Sequence, residues 1–314
     1  MYDTVHLWLP AEQAGGLDLP AFIGDFVERP AFHVNANGRE SVTGTLGNLI
    51  VKAGAVGLSV QGSMNTYLYG HNQGNMTRQD SQHVVEKLSD VLHLPMSHAS
   101  VGRVDVGRTF LTQYPPAAYY SRLGISHTYK RLTQPDSIRY QNGKRQLVFY
   151  DKVAESRHAR LPIPDIWANR NALRYESRFT NRIPQQFNRA TVTAADLHSE
   201  KFYIGLIDRW VLEFEQLPKV KLSNLGLERA MLSCKQFTEI AERLLLQQLG
   251  GEVAALELIE QYRLQDVYKS RTEVKRLKDR IRELGQPIDA EHVPVTDLVD
   301  ELREKIRRAQ HHYR

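Results

Sequence analysis

The sequence contains a single cysteine, Cys234, among its 314 residues. An internal disulfide is therefore excluded, and a reducing compartment is expected. A chain of this length can bury a core large enough to fold without covalent cross-links. Cys234 lies in an apolar helical segment, and we expect it to be buried there.

Long apolar runs and nucleotide-binding loops are also missing. No apolar stretch approaches the roughly 20 residues that a membrane helix needs. The N-terminal residues MYDTVHLWLP carry no basic leader, so we expect a cytoplasmic protein that does not enter a membrane. The sequence has no Gly-Lys-Ser/Thr phosphate loop, which argues against an ATPase of its own.

The charge balance is mildly basic. The formal net charge is +5, and charged residues make up 25% of the chain. Such a value favours a polyanionic partner, although many ordinary proteins share it. Charge alone therefore does not identify nucleic acid as the ligand.

The hydrophobic pattern changes near residue 190. Before it, short alternating segments predict strands at 2–9, 55–60, 101–110, 137–141, 146–151 and 173–179. Asn142-Gly143 predicts a hairpin, and helices are predicted at 77–92 and 115–124. After it, helical periodicity predicts helices at 193–216, 227–248, 252–264, 265–284 and 295–312. The fold class is therefore α+β, with an antiparallel-sheet domain over 1–185 and an all-helical region over 193–314.

The helix predicted at 265–284 carries a short heptad seam. Val267, Val274 and Ile281 recur every seven residues, between many lysines and arginines. The seam predicts helix pairing, either within the chain or in a homodimer, with contact to duplex DNA as the second interpretation. A solvated face, with acidic residues between the cations, is the third.

Three of the predicted strands have one apolar face and one face with ionisable groups. Alternation places Asp105 with Arg103 in the strand VGRVDVGRTF, and Glu176 with Arg174 and Arg178 in LRYESRF. In QLVFYDK, it places Tyr150 and Lys152 on one face. If the three strands share a sheet, these groups converge on its polar face.

Such a group has a chemical interpretation and a simpler one. Two carboxylates can hold Mg²⁺ or Mn²⁺ through oxygen ligands, and a tyrosine beside them can attack a phosphodiester. A neighbouring cation stabilises the transition state. The simpler interpretation is a solvated sheet face with ordinary ion pairs, and spacing alone favours it for any single residue.

The order GRVDVGRTF, LVFYDK and LRYESRF resembles the replication initiators of the phage gene II/X family. It is also similar to the Rep_trans-type initiators of rolling-circle plasmids. The segment SMNTYLYGHNQGN at 63–75 adds a Gly-His-Asn element comparable to one in gene II-type proteins. The resemblance covers about residues 1–185 and implies a nicking domain.

Roles follow from the resemblance position by position. It implies that Tyr150 is the nicking tyrosine, that Lys152 is the basic residue after it, and that Asp105 and Glu176 lie at the metal. The position of a second acidic residue in some plasmid initiators is Thr109 here, and a His-hydrophobic-His metal motif is absent. His71 replaces part of that motif or contacts the DNA backbone.

Further residues are candidates for DNA contact. Arg103, Arg174, Arg178 and Asn72 lie beside the expected site, and Lys144 with Arg145 forms part of a basic hairpin. For Arg174 and Arg178, holding Glu176 in place is an equal alternative. Tyr119 and Tyr120 form a pair that suggests a two-tyrosine nickase. We expect them to pack in the core instead, and they rank as nucleophiles well behind Tyr150.

The implied function is initiation of rolling-circle DNA replication by a metal-dependent tyrosine endonuclease and strand transferase. The expected partners are an origin, single-stranded or as a hairpin near the nick, and a host helicase and polymerase. The alternatives are a non-catalytic DNA-binding regulator of replication, a mobilisation relaxase or transposase with the same chemistry, and an RNA-binding protein.

Overall fold

The computed structural model describes residues 1–72, 74, 76–220, 234–285 and 298–314. Contacts between residues divide the chain into two compact units, Met1–Val220 with Leu298–Arg314, and Lys221–Asp297. The unit that contains the sheet thus extends beyond residue 185. The assignment of nicking to 1–185 and of a separate helical region to 193–314 stays a prediction.

The first unit is built on a ten-stranded sheet in the described part of the chain, in the order β2-β3-β4-β5-β1-β6-β10-β9-β8-β7. Every pairing in the sheet is antiparallel. The strands are β1 (Tyr2–Pro10), β2 (Glu28–Val34), β3 (Glu40–Leu46), β4 (Leu49–Gly54), β5 (Gly57–Ser63), β6 (Ser100–Thr112), β7 (Lys130–Gln134), β8 (Ser137–Gln141), β9 (Arg145–Asp151) and β10 (Asn171–Phe179). The predicted α+β class with an antiparallel sheet is confirmed.

Helices of the first unit lie between and after the strands. They are α1 (Leu19–Gly24), α2 (Met64–Tyr69), α3 (Arg78–Leu92), α4 (Pro116–Tyr120), α5 (Lys152–His158), α6 (Ile183–Gln186), α7 (Glu200–Gln216) and α11 (Leu298–Tyr313), with short 3-10 turns at Ala11–Ala14, Met96–His98 and Ala194–His198. Thr77 and Asp80 form a reciprocal capping box that starts α3, the helix predicted at 77–92. The helix predicted over 193–216 is interrupted at Ser199, between the 3-10 turn and α7.

One face of the sheet is buried by α7. The ring of Tyr175 on β10 stacks on Phe149 of β9 at 4.4 Å and on Trp210 of α7 at 5.1 Å. The Tyr175 hydroxyl donates to the Trp210 carbonyl at 2.9 Å. Because side chains alternate along a strand, this packing directs Tyr150 and Glu176 to the opposite face.

The predicted hairpin joins β8 to β9. Asn142 Oδ1 accepts hydrogen bonds from the backbone amides of Lys144 and Arg145, at 3.0 and 3.1 Å. This side-chain-to-backbone pattern fixes the turn, and with it the register that pairs Gln141 with Gln146.

The described residues of the second unit form three helices. They are α8 (Cys234–Gln248), α9 (Glu252–Leu264) and α10 (Arg271–Gly285). Leu246, Ala255 and Leu284 form a small core with Ile281 beside it. Ile281 of the seam therefore packs against other helices of the chain, whereas Val267 lies before α10 and is exposed. Homodimer formation stays a prediction.

Parts of the helical predictions differ from the structure or lie outside it. Residues 227–233 and 295–297 of two predicted helices are outside the described residues, as are Gln73 and Asn75 of the Gly-His-Asn segment. The helix predicted from 265 begins at Arg271. The prediction that Cys234 is buried is wrong, because this residue is exposed at the start of α8. No described helix combines the length and apolar character that crossing a bilayer requires.

Candidate active site

The polar face of the sheet brings together the carboxylates and the tyrosine singled out in the sequence. Strand β10 lies between β6 and β9, so Glu176 is flanked by both. In the register, Arg178 pairs with Asp105 and Arg174 pairs with Tyr150. The strand adjacency that the sequence could not supply is therefore present.

Tyr150 donates its phenolic proton to Glu176. The distance from the Tyr150 hydroxyl to Glu176 Oε1 is 2.7 Å. Burial raises the pKa of Tyr150 well above its ordinary value. Tyr150 is partly buried, lies outside the apolar core, and has its hydroxyl beside a charged cluster.

Glu176 is held by two arginines as well. Arg174 Nε donates to Oε1 at 2.5 Å, and Arg178 Nη2 donates to Oε2 at 2.8 Å. Burial by itself raises the pKa of Glu176, but the charges of Arg174 and then Arg178 outweigh it and hold that pKa well below its ordinary range. The carboxylate is therefore ionised in the resting protein.

Gly107 makes room for this carboxylate. It lies opposite Glu176 in the register between β6 and β10. A Cβ at residue 107 would lie 2.6 Å from Glu176 Cγ and 2.7 Å from the Tyr175 carbonyl oxygen. Any side chain at this position would displace the glutamate from its arginines.

Asp105 lies beside this cluster on β6. Arg103 holds it through two parallel hydrogen bonds of 2.9 and 2.6 Å, and Arg178 Nε lies 3.9 Å from Oδ2. Burial raises the pKa of Asp105 to about 6, although the hydrogen bonds and charge of Arg103 act in the opposite direction. Arg178 thus bridges the two carboxylates predicted at the metal.

Lys152 occupies a different environment from the one that alternation predicts. Strand β9 ends at Asp151, whose side chain caps α5 by accepting from the amides of Val153 and Ala154. Lys152 is the first residue of α5, is buried, and pairs with Glu155 at 2.8 Å. Its Nζ lies 5.9 Å from the centre of the Tyr150 ring, so the cation is a close neighbour of the phenol.

His71 and Asn72 lie in the loop after α2. The ring of His71 stacks on Tyr69 with centroids 6.2 Å apart. His71 lines a cleft of about 740 Å³ that Arg174 also lines. The histidine therefore shares a cleft with an arginine that binds Glu176, and its role as a metal ligand stays a prediction.

The two basic residues of the hairpin have different surroundings. Lys144 is exposed at the turn, whereas Arg145 forms an ion pair with the buried Glu213 of α7. Arg145 shares its face of β9 with Leu147 and Phe149, opposite to Tyr150. The structure therefore gives Arg145 a partner within the fold, away from the tyrosine.

Replacing Arg145 with alanine is expected to destabilise the protein by about 3 kcal/mol, because it removes one partner of a buried carboxylate. Arg209 Nε still donates to Glu213 at 2.6 Å and limits the effect. Chemical denaturation measures the change, with Lys144→Ala as the matched control at under about 0.5 kcal/mol. Equal stability of the two variants would contradict a structural role for Arg145.

The sequence analysis missed two polar residues of β1. Asp3 accepts from Arg174 Nη2 at 2.7 Å, and His6 Nε2 lies 3.0 Å from Ser59 Oγ. Burial, and then the charge of Arg103, lowers the pKa of His6. Strict alternation would put Asp3 on the face of Val5 and Leu7, so only the register shift between Tyr2 and Val5 and the position of β1 next to β6 place it at the site.

The donor types suit a hard divalent cation. Asp105 and Glu176 supply carboxylate oxygens, which Mg²⁺ and Mn²⁺ prefer. Both oxygens of Glu176 already accept hydrogen bonds from Tyr150, Arg174 and Arg178, so a cation that binds it must displace at least one of these donors. Within the described ranges, no group of three or more acidic, histidine or cysteine side chains is arranged to hold a metal.

Comparison with known proteins identifies the family. The model of a phage family, described as the N-terminal part of a replication-associated protein of the gene II type, matches residues 1–200. No curated protein matches the chain. The matched segment contains every strand of the sheet and the whole polar face. The chain therefore belongs to the family of phage replication-associated proteins of the gene II type, as its motifs predict.

Proposed function

We propose that this protein initiates rolling-circle replication by nicking one strand of an origin and retaining the new 5′ end on Tyr150. The observation that carries the proposal is the hydrogen bond from Tyr150 to Glu176 among three arginines on one sheet face. A phenol, a proton acceptor and cations able to bind a phosphate are the groups that such a transfer needs.

The reaction is a transesterification. The Tyr150 oxygen forms a bond to phosphorus, and the bond from phosphorus to the 3′ oxygen breaks. The phenolic proton passes to Glu176, and the leaving 3′ oxygen takes a proton from solvent. The products are a 5′-phosphotyrosine and a free 3′-hydroxyl that a host polymerase extends, and a second transfer closes the displaced strand.

The arginines couple substrate binding to activation of the tyrosine. In the resting protein Arg174 and Arg178 keep the Glu176 carboxylate a weak base. A DNA phosphate that binds either guanidinium competes with Glu176 for it. The carboxylate then becomes more basic at the moment when the Tyr150 proton must leave.

Asp105 and Glu176 would hold Mg²⁺ or Mn²⁺ in this proposal, with His71 as a further ligand, and Glu176 would do so through the oxygen that does not accept from Tyr150. The bound cation supplies positive charge to the phosphodiester oxygens. In the absence of the cation, Arg103 and Arg178 hold the two carboxylates in place.

The contribution of Asp105 to the stability of the metal-free protein, taken as the difference from Asp105→Asn, is expected to fall by about 2 kcal/mol as the pH rises from about 4 to about 6. The folded state raises the pKa of Asp105 to about 6. The unfolded carboxylate therefore ionises first, and increasing pH favours unfolding. Denaturation of both proteins at several pH values measures the change.

Adding Mn²⁺ to the same denaturation experiment tests the ligand assignment. A cation that binds ionised Asp105 stabilises the folded protein more at high pH, so the trend should reverse. Asp105→Asn should show little stabilisation by Mn²⁺. Equal stabilisation of both proteins would remove Asp105 from the metal site.

A covalent-adduct assay tests the function as a whole. The protein is incubated with a single-stranded origin oligonucleotide and Mg²⁺ or Mn²⁺, and the products are separated on a denaturing gel. A labelled band that migrates with the protein supports the proposal. Tight binding with neither adduct nor nick would favour the non-catalytic regulator. If an adduct forms, the sequence of the preferred cut site separates a replication initiator from a mobilisation relaxase or transposase.

A further inference from the structure

A basic cleft lies next to the candidate active site, where β6 extends past the end of β1. The N-terminal end of β1 pairs with Val106, and the Gly107 amide donates to the Met1 carbonyl at 3.1 Å. Strand β6 continues to Thr112, beyond this end of β1. The cleft of about 740 Å³ opens there, and residues from both faces of β6 line it.

One wall of the cleft is cationic. Its lining side chains carry five basic residues besides His71, and none of the lining residues in the described part of the chain is acidic. The basic residues are Arg108, Arg174, Lys305, Arg308 and His312. Three of them come from α11, so the returning C-terminal helix completes this wall.

Arg108 is the least satisfied of these cations. Its Nη1 is buried and has no hydrogen-bond partner among the described residues. The Arg108 guanidinium lies 5.2 Å from the centre of the Tyr313 ring. In the described ion pairs, Arg308 pairs only with Glu304 of its own helix. A buried donor without an acceptor indicates a site for an anion.

The cleft also has apolar lining residues. Pro164, Ile166 and Trp167 line it together with Leu111. Ile166 is 60% exposed. A cleft lined by both cationic and apolar side chains suits single-stranded nucleic acid, which offers phosphates to the one and bases to the other.

Arg174 connects the cleft to the tyrosine. It lines the cleft, donates to Glu176, and is directly opposite Tyr150 in the register. We propose that the cleft holds the sugar-phosphate backbone of the single strand next to the scissile bond, with Arg108, Lys305 and Arg308 on its phosphates. This inference rests on the proposed nicking function and adds a DNA-binding role for α11.

The test measures binding in a Tyr150→Phe protein, which cannot form an adduct. A fluorescent single-stranded oligonucleotide is titrated over a range of salt concentrations, with and without Lys305→Gln/Arg308→Gln. Removing one cation that binds a phosphate should reduce the salt slope by about 0.7. The double variant should therefore reduce the slope by about 1.4 and bind about 25-fold more weakly at about 0.1 M salt.

Controls separate the cleft from general charge. Lys52→Gln/Lys201→Gln removes the same charge from two exposed lysines that do not line the cleft, and should leave the salt slope unchanged. The Arg308 side chain is 76% exposed, so its replacement should leave the melting temperature unchanged. Arg108→Gln is the second variant and should reduce the slope by about 0.7.

Three outcomes overturn the proposal. The first is an unchanged salt slope in the cleft variants, and the second is an equal reduction of the slope by the control pair. The third is an acidic peptide of equal charge that binds as tightly and is weakened by the same variants, which would make the cleft a general anion site. Because this test measures DNA binding, its result does not depend on whether the protein nicks DNA. If the cleft variants bind as tightly as the parent protein, the cleft proposal is wrong even when the wild-type protein forms an adduct.

Discussion

Replacing Tyr150 with phenylalanine is expected to abolish the covalent adduct and to reduce origin nicking by at least about 10⁴-fold. The change removes the only atom that attacks phosphorus in the proposed reaction. Binding of the single-stranded origin should remain within about twofold of wild type, since the arginines that face the phosphate are intact. Single-turnover cleavage and a binding titration on the same oligonucleotide measure the two effects.

Matched tyrosine variants make this result specific. Tyr119 and Tyr120 are buried, and their hydroxyls bond to Glu301 and to the Asp136 carbonyl. Tyr120→Phe should lose about 1 kcal/mol of stability and keep its nicking rate. If Tyr150→Phe nicks normally and Tyr120→Phe does not, the nucleophile is Tyr120 on α4 and not Tyr150.

Replacing Glu176 with glutamine is expected to reduce nicking by about 10²–10⁴-fold. The amide still accepts a hydrogen bond from Tyr150 but takes up its proton poorly. It also leaves Arg174 and Arg178 short of a charged partner, so a loss of about 3 kcal/mol in stability is expected. The cleavage rate must therefore be measured at a temperature where the variant is folded.

The comparison with Glu155→Gln distinguishes catalysis from charge loss. Glu155 pairs with the neighbouring Lys152 and does not contact the Tyr150 hydroxyl in the described hydrogen bonds. Its replacement should lower the nicking rate by less than about tenfold. If Glu176→Gln and wild type nick at equal rates at equal DNA occupancy, Glu176 is not the proton acceptor.

The sequence predicted the side-chain face of each active-site strand. Alternation alone placed Tyr150, Glu176 and Asp105 on polar faces, and the apolar residues between them are buried in the core. Alternation does not tell which strands are neighbours, so the Tyr150–Glu176 contact needed the position of β10 between β6 and β9. The family resemblance gave the order of the three strands along the chain, but not their order in the sheet.

Features that depend on distant parts of the chain were not predictable. Strand β2 is exposed along its whole length, with Phe32 and Val34 facing solvent, so it shows no burial alternation. The return of α11 to the edge of β6 is a tertiary contact with no local signal. Lys152 was placed on a strand because period-two alternation continues through it, whereas the Asp151 cap ends the strand.

Proteolysis of the covalent adduct tests the central claim most directly. Trypsin cuts after Arg145 and after Lys152, and the resulting peptide QLVFYDK contains Tyr150 as its only tyrosine. Mass spectrometry of the nuclease-trimmed adduct should place a nucleotide on this peptide, at the tyrosine. A nucleotide on the peptide TFLTQYPPAAYYSR, which contains Tyr119 and Tyr120, would contradict the proposed active site.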